Sequence, residues 1–343
     1  MTGITRRHLL TASARVAAGG AAAAAAFRSV GARAADEIRL KIATDAPGGH
    51  PVTLRMIDCA DRIAARTDGR VKISVYHSGQ LGSGPQFLNQ VRSGSLEMCA
   101  LSTVVLGSLV PSASISGVAF VFKDYDDVWG ALDGDLGAYM RDDIRKAGLH
   151  VFDRMWDVGF RQVTTRDRAI LKPEDLRGVR LRVPPARLWT SLFVALGAAP
   201  TTVQMAELYS ALQTRIVDGQ ENPIAIIESA KFSEVQKHCA LTNHMWDGVH
   251  ILANPAIWNG LPADVRTLVA KTFDNVATAQ RGDVRMSNGT MLATLKAQGM
   301  SITEPDRAAF RATLKTAGFY TEWKEKFPAE GWALLEKYAG SLA

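Results

Sequence analysis

The sequence predicts an α/β protein with room for two cores. Three observations predict it. Strand and helix signals alternate along the chain, the pattern of mainly parallel sheets. Of the 343 residues, the 309 that follow residue 34 exceed what one hydrophobic core normally organises. A helical pattern from about Ala263 to Gln298 is longer than one small lobe needs to cover its sheet, and is suited to brace two.

Residues 1–34 are read apart from the fold. Thr5-Arg6-Arg7-His8-Leu9-Leu10 sets two arginines ahead of an Ala- and Gly-rich run from Val16 to Phe27, and Ala32-Arg33-Ala34 follows as a small-x-small site. This is the anatomy of an export signal, and the arginine pair points to the twin-arginine route. The competing reading is an anchoring helix, but the run is shorter than the roughly 20 residues a span needs. The segment holds five arginines and no acid, so without it the formal charge falls from +6 to +1. A nucleic-acid partner then loses its electrostatic basis. No later segment approaches 18 unbroken apolar residues, which predicts a soluble exported chain. Cys59, Cys99 and Cys239 are odd in number and widely spaced, and are read as buried free thiols.

The elements follow in order. Ile38-Arg39-Leu40-Lys41-Ile42 alternates as a strand. His50-Pro51 opens a helix with Leu54, Ile57, Ala60, Ile63 and Ala64 on its apolar face, closed near Gly69. Val71–Tyr76 is a second strand; the turn His77–Pro85, a helix through Phe87, Leu88 and Val91, and a third strand near Leu96–Leu101 complete a βαβαβ opening. The alternation restarts near Phe160. Gly178–Val183 is a strand stopped by Pro184-Pro185, and helices follow around Leu188–Leu196, Ala206–Leu212 and Pro223–Phe232. The long helical pattern comes next, with Gly282 and Gly289 as points where it would bend.

Tests for catalytic chemistry return little. His238, His244 and His250 stand six apart, a spacing that makes a metal site on neither a strand nor a helix. No H-E-x-x-H, C-x-x-C or G-x-S-x-G occurs. Gly79-Gln80-Leu81-Gly82-Ser83-Gly84 lacks dinucleotide order; it is either a plain turn or an amide contact for an anion. Arg161 and Arg182 each sit among strand residues, which makes each a structural arginine paired with a fixed carboxylate or, if the two converge, a clamp for an anionic ligand. Arg180 and Arg182 share a strand face, so periodicity does not separate them. Glu221-Asn222-Pro223 reads as a helix start capped by Asn222, or as an amide at the same cleft. Trp156, Phe160 and Trp246 are core wedges or a pocket wall.

These motifs, taken together, resemble the DctP-type solute-binding proteins of TRAP (tripartite ATP-independent periplasmic) transporters. The matching runs are Gly79-Gln80-Leu81-Gly82, Gly159-Phe160-Arg161-Gln162, Leu181-Arg182-Val183-Pro184, Leu208–Thr214, Val217-Asp218-Gly219-Gln220-Glu221-Asn222-Pro223, Glu234–Lys237 and Leu241-Thr242-Asn243-His244. The resemblance implies a two-lobe periplasmic binding protein fold with the ligand cleft between lobes and a long helix spanning both. The lobes would be 35–158 with 247–286, and 159–246 with 287–343. It implies a periplasmic receptor for a small organic acid, served by the small and large membrane subunits of an ion-gradient-driven transporter, with no enzymatic activity, cofactor, metal or nucleic acid. Arg182 would clamp the ligand carboxylate, with Arg161 a second contact and Asn222 bonding the same group. Asp45, His50, Ser102, Trp156, Met205 and Trp246 would form the pocket wall, and Gln80 would join the ligand contacts. Ser102 and Val105 stand where relatives binding large polyhydroxylated acids tend to carry charge. Met205 replaces a common aromatic, and Val158 a frequent polar residue. Hydroxy acids, sugar acids and aromatic carboxylates all stay open.

Two other functions compete. A cofactor-bearing exported enzyme predicts a nucleophile–base pair or a metal constellation, and the sequence shows neither. A sensory lobe for a membrane receptor would use the same site.

Overall fold

The computed structural model describes residues 37–342. The export signal, arginine pair and cleavage site expected within residues 1–34 lie outside the described residues. Among these, eleven strands run in chain order: β1 (Ile38–Ala43), β2 (Val71–Tyr76), β3 (Met98–Ser102), β4 (His150–Val151), β5 (Trp156–Thr165), β6 (Arg180–Val183), β7 (Ala199–Thr202), β8 (Gly219–Pro223), β9 (His238–Ala240), β10 (Trp246–Ala253) and β11 (Ser301–Thr303). The main path is β2-β1-β3-β10-β5-β8-β6-β7. Its flanks are parallel, as the alternating pattern predicts, but β10 and β5 at the centre are antiparallel to their neighbours. Strand β5 joins the two halves: Trp156–Phe160 pairs with β10, and Arg161–Thr165 pairs with β8.

A bulge interrupts this central pair. Asp247 faces Gly159 while Gly248 faces Asp157, which leaves Val158 as the extra residue. Gly248 is required there. A Cβ at that position would overlap the Trp246 ring and lie 2.9 Å from the Trp156 carbonyl oxygen. Gly248→Ala is therefore expected to cost about 1–3 kcal/mol through overpacking. Chemical denaturation measures it, and an unchanged midpoint would contradict the crowding.

The helix Ala263–Ala297 spans 35 residues, about 50 Å at 1.5 Å per residue. It packs on the helix Pro51–Arg66 of the first half and on Ile224–Ser229 of the second, with β5 between. Gln280 fixes the crossing: its Nε2 donates to the Asp157 carbonyl (2.7 Å) and its Oε1 accepts from the Asp157 amide (2.9 Å). The helix runs unbroken through Gly282 and Gly289. The tail divides. Helices Arg307–Thr316 and Phe319–Lys326 pack on Arg187–Ala195, whereas Ala329–Ala339 returns to Tyr125–Leu132 and Asp135–Lys146.

Two local expectations shift. The helix Pro51–Arg66 buries Val52, Met56, Cys59, Ala60 and Ile63, while Leu54 and Ile57 stand 52% and 39% exposed. The apolar stripe starts at Val52, because that row meets the sheet and the long helix. Asn222 is not a helix cap: it lies inside β8, and the following helix begins at Ile224 with Pro223 as its N-cap. The three cysteines are buried and unpaired, and burial pushes the Cys239 thiol up to about 12. No described helix is long and apolar enough to cross a membrane.

Candidate functional site

The carboxyl ends of β1, β3 and β6 point at the seam between the two halves, the usual place for a ligand in an open α/β sheet. A cavity of about 60 Å³ lies there. Thr44 and Asp45 reach it from the end of β1, Ser102 from β3 and Arg182 from β6. Arg161 and the bulged Val158 come from β5, Asn222 from β8 and Asp247 from β10. A second space of about 500 Å³ shares Asp45, Gln204 and Met205 with it and opens between the Gly79–Ser83 turn and Ala206-Glu207.

The two arginines differ. Arg161 is held by protein at all three guanidinium nitrogens. Its Nε and Nη2 donate to the Glu221 carboxylate at 2.5 and 2.8 Å, and its Nη1 donates to Asp247 at 3.0 Å. Nη2 also meets the Glu221 carbonyl (2.8 Å) and Asn222 Oδ1 (3.0 Å), and the guanidinium lies over the Trp189 ring. All of these groups are buried. Glu221 is held further by His244 Nε2 at 3.1 Å, whose Nδ1 meets the Thr242 hydroxyl at 2.8 Å. Since an ionised carboxylate only accepts, Nε2 carries the hydrogen. Ser102 donates to Asp247 at 2.9 Å.

Arg182 is equally buried, but only its Nε has a partner among the described residues, the Val203 carbonyl at 2.7 Å. Its Nη atoms keep their donors for the cavity. Arg180, which the sequence did not separate from it, is exposed and tied to Asp218 at the start of β6.

Burial and charge set the titration. Burial pushes Glu221 up, but Arg161 and His244 outweigh it and hold the carboxyl below its usual value. Burial raises Asp247 to about 6 against the pull of Arg161, and raises Asp45 against that of Arg182. It lowers Arg182 to about 10, which leaves the guanidinium charged at neutral pH, and lowers His244 despite Glu221.

The structure thus brings Arg182, Arg161, Asn222, Ser102, Met205 and Asp45 to one cavity. Four expected contacts fall elsewhere. His50 is the buried N-cap of its helix, its Nδ1 accepting from the Val52 amide at 3.2 Å, and burial lowers it to about 3. Trp156 packs against Phe273 of the long helix. Trp246 stands edge-on to Trp129 and donates Nε1 to Asp157 at 2.9 Å. Gln80 sits exposed on the turn, its amide bonded to the His77 carbonyl. The bulge at Val158 sets that valine on the cavity wall. Glu221, Asp247 and Trp189 were not singled out from sequence. Their signal was the buried Arg161, which demands fixed carboxylates, and Asp247 in a strand otherwise apolar but for His250.

Comparison with known proteins agrees with this architecture. Residues 42–325 match the family described as bacterial extracellular solute-binding protein, family 7. The sialic acid-binding periplasmic protein SiaP of Vibrio cholerae is 31% identical over 75% of this chain and 79% of its own. The sugar acid binding protein DctPAm of Advenella mimigardefordensis, solved with galactonate, superposes with a TM-score of 0.85 at 27% identity, covering 90% of this chain and 99% of that one. A TRAP periplasmic solute-binding protein of Sulfurospirillum deleyianum, solved with succinate, gives 0.83 at 26% identity, covering 89% and 99%. With two sheet halves sharing one long helix around a buried guanidinium, and a family match over most of its length, the chain belongs to family 7 of the bacterial extracellular solute-binding proteins, the DctP family.

Proposed function

We propose that this protein is a periplasmic receptor that captures a small organic acid by its carboxylate and delivers it to the small and large membrane subunits of a TRAP transporter. The observation that carries the reading is Arg182: a buried, charged guanidinium whose Nη donors have no protein partner among the described residues and face a cavity. An unpaired buried charge is costly, and a carboxylate presenting two oxygens relieves it through a bidentate contact. Asn222 bonds the same group, and Arg161 acts by fixing Asn222 and Asp247 around it. The halves, 35–158 with 247–286 and 159–246 with 287–328, the last helix Ala329–Ala339 lying on the first, close over the ligand about β5 and the long helix. Ligand shifts that equilibrium by its preference for the closed form. Export by the twin-arginine route and cleavage after Ala34 place the chain in this compartment. No catalytic step is assigned to it.

The relatives bind sialic acid, galactonate and succinate, so the carboxylate is the chemistry they share. A thermal-shift screen against organic acids tests the reading after denaturation and refolding to clear bound ligand. At least one acid is expected to raise the melting temperature, and its methyl ester is expected not to. Equal shifts from acid and ester would contradict the clamp.

A further inference from the structure

The cavity's polar groups are mostly spent on one another. Arg161 bonds Glu221, Asp247 and Asn222; the Asn222 amide donates to Gln220 at 2.5 Å; Ser102 donates to Asp247; and Thr44 Oγ1 accepts from the Ala46 amide at 3.2 Å. The groups left for a ligand are the Arg182 Nη donors, the second Asn222 N–H, the Trp189 Nε1–H (without a partner among the described residues), the Asp45 carboxyl, the Thr44 hydroxyl hydrogen and, at the mouth, Gln204. Elsewhere the wall is hydrocarbon: Val52, Val105, Val158, Met205, Ile226 and Val249.

This inventory limits the ligand. A sugar acid brings a hydroxyl on nearly every carbon, and those facing the valines would give up water without a replacement bond. A dicarboxylate needs a second free cation. Arg161 is already matched by Glu221 and Asp247, and Asp45 and Asp247 would face the second carboxylate with like charge. A purely hydrocarbon acid leaves Asp45 without a donor. Resting on the carboxylate-receptor reading, we propose that the ligand is a monocarboxylate with a branched hydrocarbon body and one hydroxyl, the carboxylate on Arg182 and the hydroxyl donating to Asp45.

Isothermal titration of the refolded protein with 2-hydroxyisovalerate, isovalerate, succinate and gluconate tests it. The hydroxy acid is expected to bind about tenfold more tightly than isovalerate, and about a hundredfold more tightly than succinate or gluconate. Asp45→Ala is expected to erase the difference between 2-hydroxyisovalerate and isovalerate. Asp45→Asn, which keeps an acceptor and removes the charge, is expected to keep that difference while narrowing the gap to succinate. Succinate or gluconate binding as tightly as 2-hydroxyisovalerate, with all binding lost in Arg182→Ala, would overturn the ligand class and leave the receptor standing. An unchanged preference in Asp45→Ala would remove Asp45 from the argument. Binding that survives Arg182→Ala would take the carboxylate away from Arg182 and overturn the proposal with it, whereas no binding by any of the four acids would count against the receptor reading itself.

Discussion

Replacing Arg182 by alanine is expected to lower affinity for the ligand acid by about a hundredfold to a thousandfold, since truncating one member of a buried charge pair costs about 2–5 kcal/mol or more. The ligand-free protein is expected to melt at or above the wild-type temperature. Burial depresses the Arg182 pKa to about 10, so the folded state disfavours its charge and removing it relieves the fold. Among the described residues the only hydrogen bond lost is the one to the Val203 carbonyl. Titration and melting together make the test specific. A variant that loses both affinity and stability would mark Arg182 as a structural strut. A variant that keeps its affinity would take the carboxylate away from this residue.

Why Arg182 and not Arg161 holds the free charge was only half legible in the sequence. Both were visible as strand arginines, and the chemistry of a buried guanidinium offered two outcomes, a fixed carboxylate or an anionic ligand. Each arginine took one. The choice depends on where β8 and β10 deliver Glu221 and Asp247, and that is set by sheet order rather than by local pattern. Arg180 illustrates the same point: it shares a face with Arg182, but Asp218 holds it at the open end of the strand. Alternation assigns a face and says nothing about position along the strand.

The elements themselves were easier to read. Periodicity located the strand Val71–Tyr76 and the helix Ala263–Ala297 almost to the residue, because each is long or cleanly bounded. It failed where the backbone departs from regularity. The extra residue at Val158 puts a valine on the cavity wall, while Trp156 lies against Phe273. His50 failed for another reason. A histidine before Pro51 suits a pocket or a helix cap equally well, and here its Nδ1 accepts from the Val52 amide.

Glu221→Ala is expected to be the most destabilising single change at the site. It leaves Arg161 buried with Asp247 as its one remaining carboxylate partner among the described residues, and breaking such a pair costs about 3–5 kcal/mol. For a chain of this size that corresponds to a melting temperature lower by about 5–8 °C. If the cost comes from the orphaned charge, replacing both residues in Arg161→Met with Glu221→Leu should recover most of the loss. A double variant no more stable than Glu221→Ala would point to lost packing around Trp189 and His244 instead. The pH dependence supplies a separate check. Glu221 titrates below its ordinary 4.5, so its contribution is present above that value and is lost as pH falls through the folded-state pKa. Asp247 works in the opposite sense. Raised from 3.8 to about 6, it favours its protonated form when folded and adds stability as pH falls from about 6 toward 4. Wild-type stability attributable to the pair should therefore rise from neutral to mildly acidic pH and fall in stronger acid. In Glu221→Ala the strong-acid loss should shrink. If that loss persists undiminished in the variant, the acid-sensitive carboxylate is not Glu221, and the network around Arg161 does not carry its charge in the way the geometry indicates.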